Sequence, residues 1–261
     1  MRVRPLGRMP AGLPLRAIAP NAVTALALSA GLTGIRFAID RDWQLAVAMV
    51  IVAALLDGID GSVARLLRGQ SRFGAELDSL SDAIAFGVSP ALILYLWSLT
   101  DAPRFGWVCA LVYAVFCALR LARFNAGIDL AEQPHKSAGF LTGVPAPAGA
   151  GLVMLPMYLW FVTDYAWLRS PWMVAGWLVA VALLMVSSLA TFSWASLRLR
   201  PRIRFEVLAA IVATGAALVS APWPTLAVLG IVYAATLPFS VAGYARIRRQ
   251  RANATGRQPP A

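Results

Sequence analysis

Four aspartates, Asp57, Asp60, Asp78 and Asp82, fall within one short stretch, DGIDGSVARLLRGQSRFGAELDSLSD. The flanking segments, AMVIVAALL before it and AIAFGVSPALILYLW after it, are apolar enough for the interior of a bilayer. An aspartate near the middle of a membrane helix costs about 2.5–3.5 kcal/mol on insertion scales. Four together also repel one another unless protons or cations come between them. Arg65, Arg68 and Arg72 do not neutralise all four, because arginines at this position can reach the lipid headgroups instead. Carboxylate oxygens unaccompanied by His or Cys suit hard divalent cations, Mg²⁺ or Mn²⁺. Four carboxylates suffice for two ions about 3.5–4 Å apart, the arrangement that clamps a phosphoryl group during transfer.

The spacing supports convergence. Asp57 and Asp60 are one helical turn apart, as are Asp78 and Asp82, so each pair shares a helix face. Asp57 and Asp82 lie at nearly equal chain distances from Gln70, and so do Asp60 and Asp78. Two antiparallel helices joined near Gln70 would therefore bring the acids together at matching depths. Gly58, Gly61 and Ala64 leave one helix face almost bare, on which a backbone or a bulky substrate can lie. Gly74 permits a sharp entry to the second helix.

The elements that must hold these acids read as membrane helices. Of the 261 residues 59% are hydrophobic and 13% charged, with a mean hydropathy of +0.69. That composition indicates an all-α polytopic membrane protein rather than a soluble domain. Apolar runs of bilayer length lie at 18–39, 44–65, 75–99, 105–125, 143–162, 172–190, 203–220 and 222–243, giving about eight spans. Under that assignment all of the 23 basic residues except Arg36, Arg41, Arg104 and Arg169 fall on one side, which places both termini in the cytoplasm. The net charge of +11 would suggest nucleic acid in a soluble protein, but its distribution between apolar runs indicates a membrane surface and no nucleic acid.

Residues 1–17 form a basic cytoplasmic segment, which fits a retained first helix better than a cleaved signal peptide. Residues 18–200 hold the catalytic membrane domain, 201–245 the additional C-terminal helices, and 246–261 a basic, disordered cytoplasmic tail. Cys109 and Cys117 share an apolar run without metal-ligand spacing and read as packing residues; His135 receives no role.

The pattern Asp57-x-x-Asp60-Gly61-x-x-Ala64-Arg65, followed by Gly74-x-x-x-Asp78-x-x-x-Asp82, resembles the signature of the CDP-alcohol phosphatidyltransferases. SDAIAFGVSPALILY, ALRLARFN, GFLTGVPAPAGAG and LLMVSSLATFSW further resemble the membrane-bound phosphatidylserine synthases of bacteria and archaea. The resemblance covers residues 17 to 200 and implies a divalent-metal-dependent transfer from CDP-diacylglycerol to L-serine. It implies that Asp57, Asp60, Asp78 and Asp82 ligate two metal ions and that Asp82 is also the base. Gly61, Ala64, Arg65 and Gly74 would seat the cytidine nucleotide. A homodimer in the bacterial inner membrane, with the site at its cytoplasmic face, is implied as well.

Serine carries a carboxylate that asks for a cation, and Arg120 and Arg123, with Asn125 beside them, are the candidates. Positive-inside residues snorkelling to the interface are the plainer alternative. Lys136, Thr142 and the Arg198 to Arg204 group are further candidates for lipid phosphates. The signature is common to enzymes using glycerol 3-phosphate, an inositol phosphate or choline, so only the flanking segments favour serine. A secondary transporter would leave the spacing of the acids unexplained, and a non-catalytic assembly factor should tolerate loss of an aspartate.

Overall fold

The computed structural model describes residues 15–66, 71–128, 140–187, 190–192 and 204–254. Side chains at 15–17, 63–65, 128, 140–142, 190–192, 204 and 239–254 lie outside that description. Helices occupy all eight of the apolar runs. They are α1 (Leu15–Ile39), α2 (Trp43–Leu66), α3 (Arg72–Asp82), α4 (Ser89–Trp97), α5 (Pro103–Ile128), α6 (Ala146–Val153), α7 (Leu155–Thr163), α8 (Pro171–Val186), α9 (Arg204–Ser220) and α10 (Pro222–Ala254). Among the described residues five stretches are long and apolar enough to cross a membrane: Ile18–Ile39, Trp43–Ser62, Arg72–Trp97, Pro103–Gly127 and Ala146–Thr163. Pro171–Val186, Phe205–Ser220 and, within α10, Pro222–Pro238 are shorter apolar stretches among the described residues.

Two apolar runs are interrupted, and proline explains both. The third run is α3, a π-helical turn over Ala83–Val88, and α4. Pro90 has no N–H to give the Phe86 carbonyl one turn back, and the helix widens there. That carbonyl is instead bonded by the Tyr113 hydroxyl of α5 at 3.0 Å. The fifth run breaks at Met154 between α6 and α7, where Pro156 cannot bond the Leu152 carbonyl. The Trp177 indole N–H of α8 takes its place at 2.9 Å. In each case a buried backbone acceptor, orphaned by a ring, is satisfied from a neighbouring helix.

The core sits between α1, α2, α4, α5, α6, α7 and α8, with Val47, Ile93, Leu94, Trp97, Tyr113, Leu152, Met157, Leu178 and Met185 almost fully buried. Large apolar side chains also point outwards, among them Leu26, Leu55, Leu111 and Leu183, as lipid contact demands. Small residues let α1 approach the π turn closely: a Cβ on Gly31 would lie 2.8 Å from the Ala85 Cα. Ser89 then bonds the Gly31 carbonyl at 2.8 Å.

Opposite the aspartates, Arg169 draws the other end together. Its Nε donates to the Trp97 carbonyl at 2.9 Å, and its guanidinium lies 5.7–6.0 Å from the rings of Trp43, Trp97 and Trp160.

Two features depart from the sequence reading. Phe140–Thr142 and Ala190–Phe192 form a short antiparallel ribbon, β1 and β2, where an all-helical chain was expected. Gly143 leaves this ribbon with a φ of +72°, a conformation that side chains resist, and a Cβ there would meet the Met185 carbonyl oxygen at 2.5 Å. The last helix continues through Ala254, so the basic segment from Arg246 is helical over most of its length rather than disordered. Its composition, rich in Arg, Ala and Gln, explains this, since all three are good helix formers.

Replacing Tyr113 with Phe removes the Phe86 carbonyl's donor in an apolar core. The expected cost is about 1–3 kcal/mol, seen as a lower unfolding midpoint in detergent. Tyr95→Phe, at a half-buried ring that stacks edge-on against Trp107, should leave the midpoint nearly unchanged.

Candidate metal and phosphoryl-transfer site

Antiparallel α2 and α3 bring the acids together. One carboxylate oxygen each from Asp57, Asp60 and Asp78 lies within 4.8 Å of the others. Asp82, the last residue of α3 before the π turn, is at hydrogen-bonding range of Asp57. Two carboxyl groups that close need a proton or a cation between them. The donor set is all oxygen, compact and without sulfur or imidazole, which fits a hard divalent cation.

Helix α1 supports this set, a role its sequence did not announce. The Thr24 hydroxyl donates to Asp60 Oδ2 at 2.7 Å, in preference to the Pro20 carbonyl at 3.1 Å. The Thr24 carbonyl in turn accepts from Ser81 of α3 at 3.3 Å. One residue therefore ties α1 to both acid-bearing helices and fixes the orientation of Asp60, which is 5% exposed. The signal available in the sequence was only a threonine in an apolar run, and helical threonines usually bond their own backbone.

The entry to α3 is equally specific. Ser71 caps the helix, its hydroxyl accepting from the Gly74 N–H at 3.0 Å. A Cβ at Gly74 would stand 2.8 Å from Asn21 Oδ1, so this glycine lets α3 meet α1. By contrast, no described residue lies within 4 Å of where Gly58 or Gly61 would carry a Cβ. That open face borders the acids. The side chains of Ala64 and Arg65 lie outside the described residues, as do those of Lys136, Thr142, Arg198, Arg200, Arg202 and Arg204.

The residues read as acceptor contacts separate. Arg120 of α5 is largely buried and faces Asp82, Cys117 and Tyr233. Arg123 is exposed and donates to the Val186 carbonyl at the end of α8, at 3.0 Å. Such a bond satisfies a terminal helix carbonyl. Asn125 donates to the Ser79 hydroxyl at 2.8 Å and so joins α5 to α3. Arg120 alone of these three points its charge at the acids.

A family model of the CDP-alcohol phosphatidyltransferases matches residues 17–186. The chain belongs to the CDP-alcohol phosphatidyltransferase family. A second model, CDP-alcohol phosphatidyltransferase 2, matches residues 202–238. Among similar proteins, the CDP-diacylglycerol–serine O-phosphatidyltransferase of Mycobacterium bovis is 41% identical over 86% of this chain and 78% of its own length. That of Mycobacterium leprae is 38% identical over 86% of this chain and 74% of its own length. The enzyme of the same name from Helicobacter pylori is 39% identical over 54% of this chain and 57% of its own length. In this phosphatidyltransferase the signature acids are thus found clustered, with α1 and α5 braced against them.

Thr24→Val keeps the side-chain shape and removes the donor to Asp60. Loss of a partner that orients a metal ligand typically costs 10–100-fold in metal affinity. Titration of the purified protein with Mn²⁺, followed by electron paramagnetic resonance, should show weakening of about that size.

Proposed function

We propose that this phosphatidyltransferase transfers the phosphatidyl group of CDP-diacylglycerol to the hydroxyl of L-serine, giving phosphatidylserine and CMP. The observation that carries this reading is the acid cluster, set in a chain whose relatives over 86% of its length are named CDP-diacylglycerol–serine O-phosphatidyltransferases. Asp57, Asp60, Asp78 and Asp82 would hold two divalent ions, Mg²⁺ or Mn²⁺. Bound there, such ions supply neutralisation of charge on the pyrophosphate oxygens, which is the main demand of phosphoryl transfer.

The chain's own groups do the rest. Asp82 accepts the proton of the serine hydroxyl as its oxygen bonds to the β-phosphorus. The bond from that phosphorus to the bridging oxygen breaks, and CMP departs with the electron pair. Arg120, facing Asp82, holds the serine carboxylate, since a guanidinium fork matches two carboxylate oxygens. Arg123 and Asn125 position the ends of α5, α8 and α3 around the acceptor. The open face at Gly58 and Gly61 receives the cytidine nucleotide, with Ala64, Arg65 and Gly74 beside it.

We place the acids at the cytoplasmic face of the bacterial inner membrane, with eight spans and both termini inside. The distribution of basic residues supports this orientation. It lets acyl chains remain in the bilayer while serine and CMP exchange with the cytoplasm. The active form is proposed to be a homodimer.

Purified protein with CDP-diacylglycerol and Mg²⁺ or Mn²⁺ should release CMP when L-serine is added. Glycerol 3-phosphate, inositol phosphate and choline should not replace serine. Chelation should abolish release, and Asp82→Asn should lower it about 10²–10⁴-fold. Release with a different acceptor would keep the family and overturn the substrate.

Gly61→Leu separates binding from folding. Because the position faces open space, the unfolding midpoint should hold, while the KM for CDP-diacylglycerol rises about tenfold or more.

A further inference from the structure

Two shielded polar atoms, Arg120 Nε on α5 and the Tyr233 hydroxyl on α10, have no hydrogen-bond partner among the described residues. The two side chains are electrostatic neighbours, and Arg120 is also a neighbour of Asp82. Buried polar groups are nearly always bonded, so two unbonded ones side by side call for a reason. Packing alone does not supply it, because phenylalanine would fill the Tyr233 position equally well without leaving a hydroxyl unpaired.

The chemistry of the pair defines what would satisfy it. A guanidinium N–H is always a donor, and a phenol O–H donates as well. Two donors side by side fit a ligand with two acceptor oxygens and a negative charge, such as a carboxylate. Asp82 is the charged neighbour of the same arginine, and it would meet the hydroxyl of that small molecule as its base.

We propose that Tyr233 is a specificity-determining residue that, with Arg120, binds the α-carboxylate of the amino-acid acceptor. This rests on the serine-transfer reading above. It gives α10 a direct part in acceptor choice, although that helix packs chiefly on α6, α7, α9 and β2 and carries none of the signature residues. It also explains how one signature can serve different alcohols. The acids handle the phosphate that all donors share, while a distant helix reads the group that distinguishes the acceptor.

Tyr233→Phe tests the proposal through four readouts. The KM for L-serine should rise about 10- to 100-fold, the range for a hydrogen bond to a charged group. The KM for CDP-diacylglycerol should stay within about twofold, well inside what one lost hydrogen bond would change. The variant should also lose much of the preference for L-serine over L-serine methyl ester, which has no carboxylate charge. Finally, the unfolding midpoint without substrates should stay level or rise, because an unpaired hydroxyl has been removed. An unchanged KM for serine would overturn the proposal. So would a lowered midpoint with both KM values raised together, which would make Tyr233 a packing residue. Failure of the unsubstituted protein to use serine would instead overturn the underlying reaction.

Discussion

Like charges inside an apolar bundle are the constraint around which this protein is organised. Asp57, Asp60, Asp78 and Asp82 repel one another, and lipid offers them no water. Left unbraced, the helices that carry them would separate or turn the acids outwards. The surrounding structure opposes this at each point. Thr24 bonds Asp60 and, through its carbonyl, holds α3 by way of Ser81. Asn125 fastens α5 to Ser79, one residue after Asp78. Arg120 brings a positive charge to Asp82. What remains of the repulsion must be met by a proton or a cation, so the site's capacity for metal follows from electrostatics as much as from chemistry.

The two ends of the bundle are built on different principles. At the end remote from the acids, Arg169 is enclosed by Trp43, Trp97 and Trp160, and its Nε bonds a main-chain carbonyl. Ser98 completes the junction by bonding the Arg169 carbonyl at 2.8 Å. Aromatic area and cation–π attraction hold this end together. The acid end is held by polar bonds between helices and leaves open space along Gly58 and Gly61.

What the sequence disclosed follows from the range of the forces involved. The acids were legible because each pair repeats with the helical period and the two pairs are symmetric about Gln70. The apolar runs were legible because hydropathy is a local property, and every one is helical. Their ends were less so: α8 stops at Val186, before the end of its run at 190, while α10 continues past 243 to Ala254. The breaks at Pro90 and Pro156 were visible as prolines, but whether the chain kinks, widens or stops depends on a donor such as Tyr113 or Trp177 from another helix. Thr24 and Tyr233 were hidden for the same reason. Each sits in an apolar run, and its significance arises only from a residue far away in the chain. Arg123 shows the converse, since its spacing from Arg120 suggested a shared task and the fold gives it a helix end to cap.

The π turn over Ala83–Val88 sets the angular phase of α3 against α4. A π turn accommodates about one residue more than an α turn, and each residue in a helix advances by about 100°. Everything N-terminal to it is therefore rotated by roughly that angle relative to an unbroken helix. The buried side of α4, with Ile93, Leu94 and Trp97, thus answers to one set of neighbours, while Asp78 and Asp82 answer to another. Helix packing and acid placement would otherwise be locked to a single periodicity. The widened turn works as a fixed gear between them, so that the core can be satisfied without dictating where the carboxylates point.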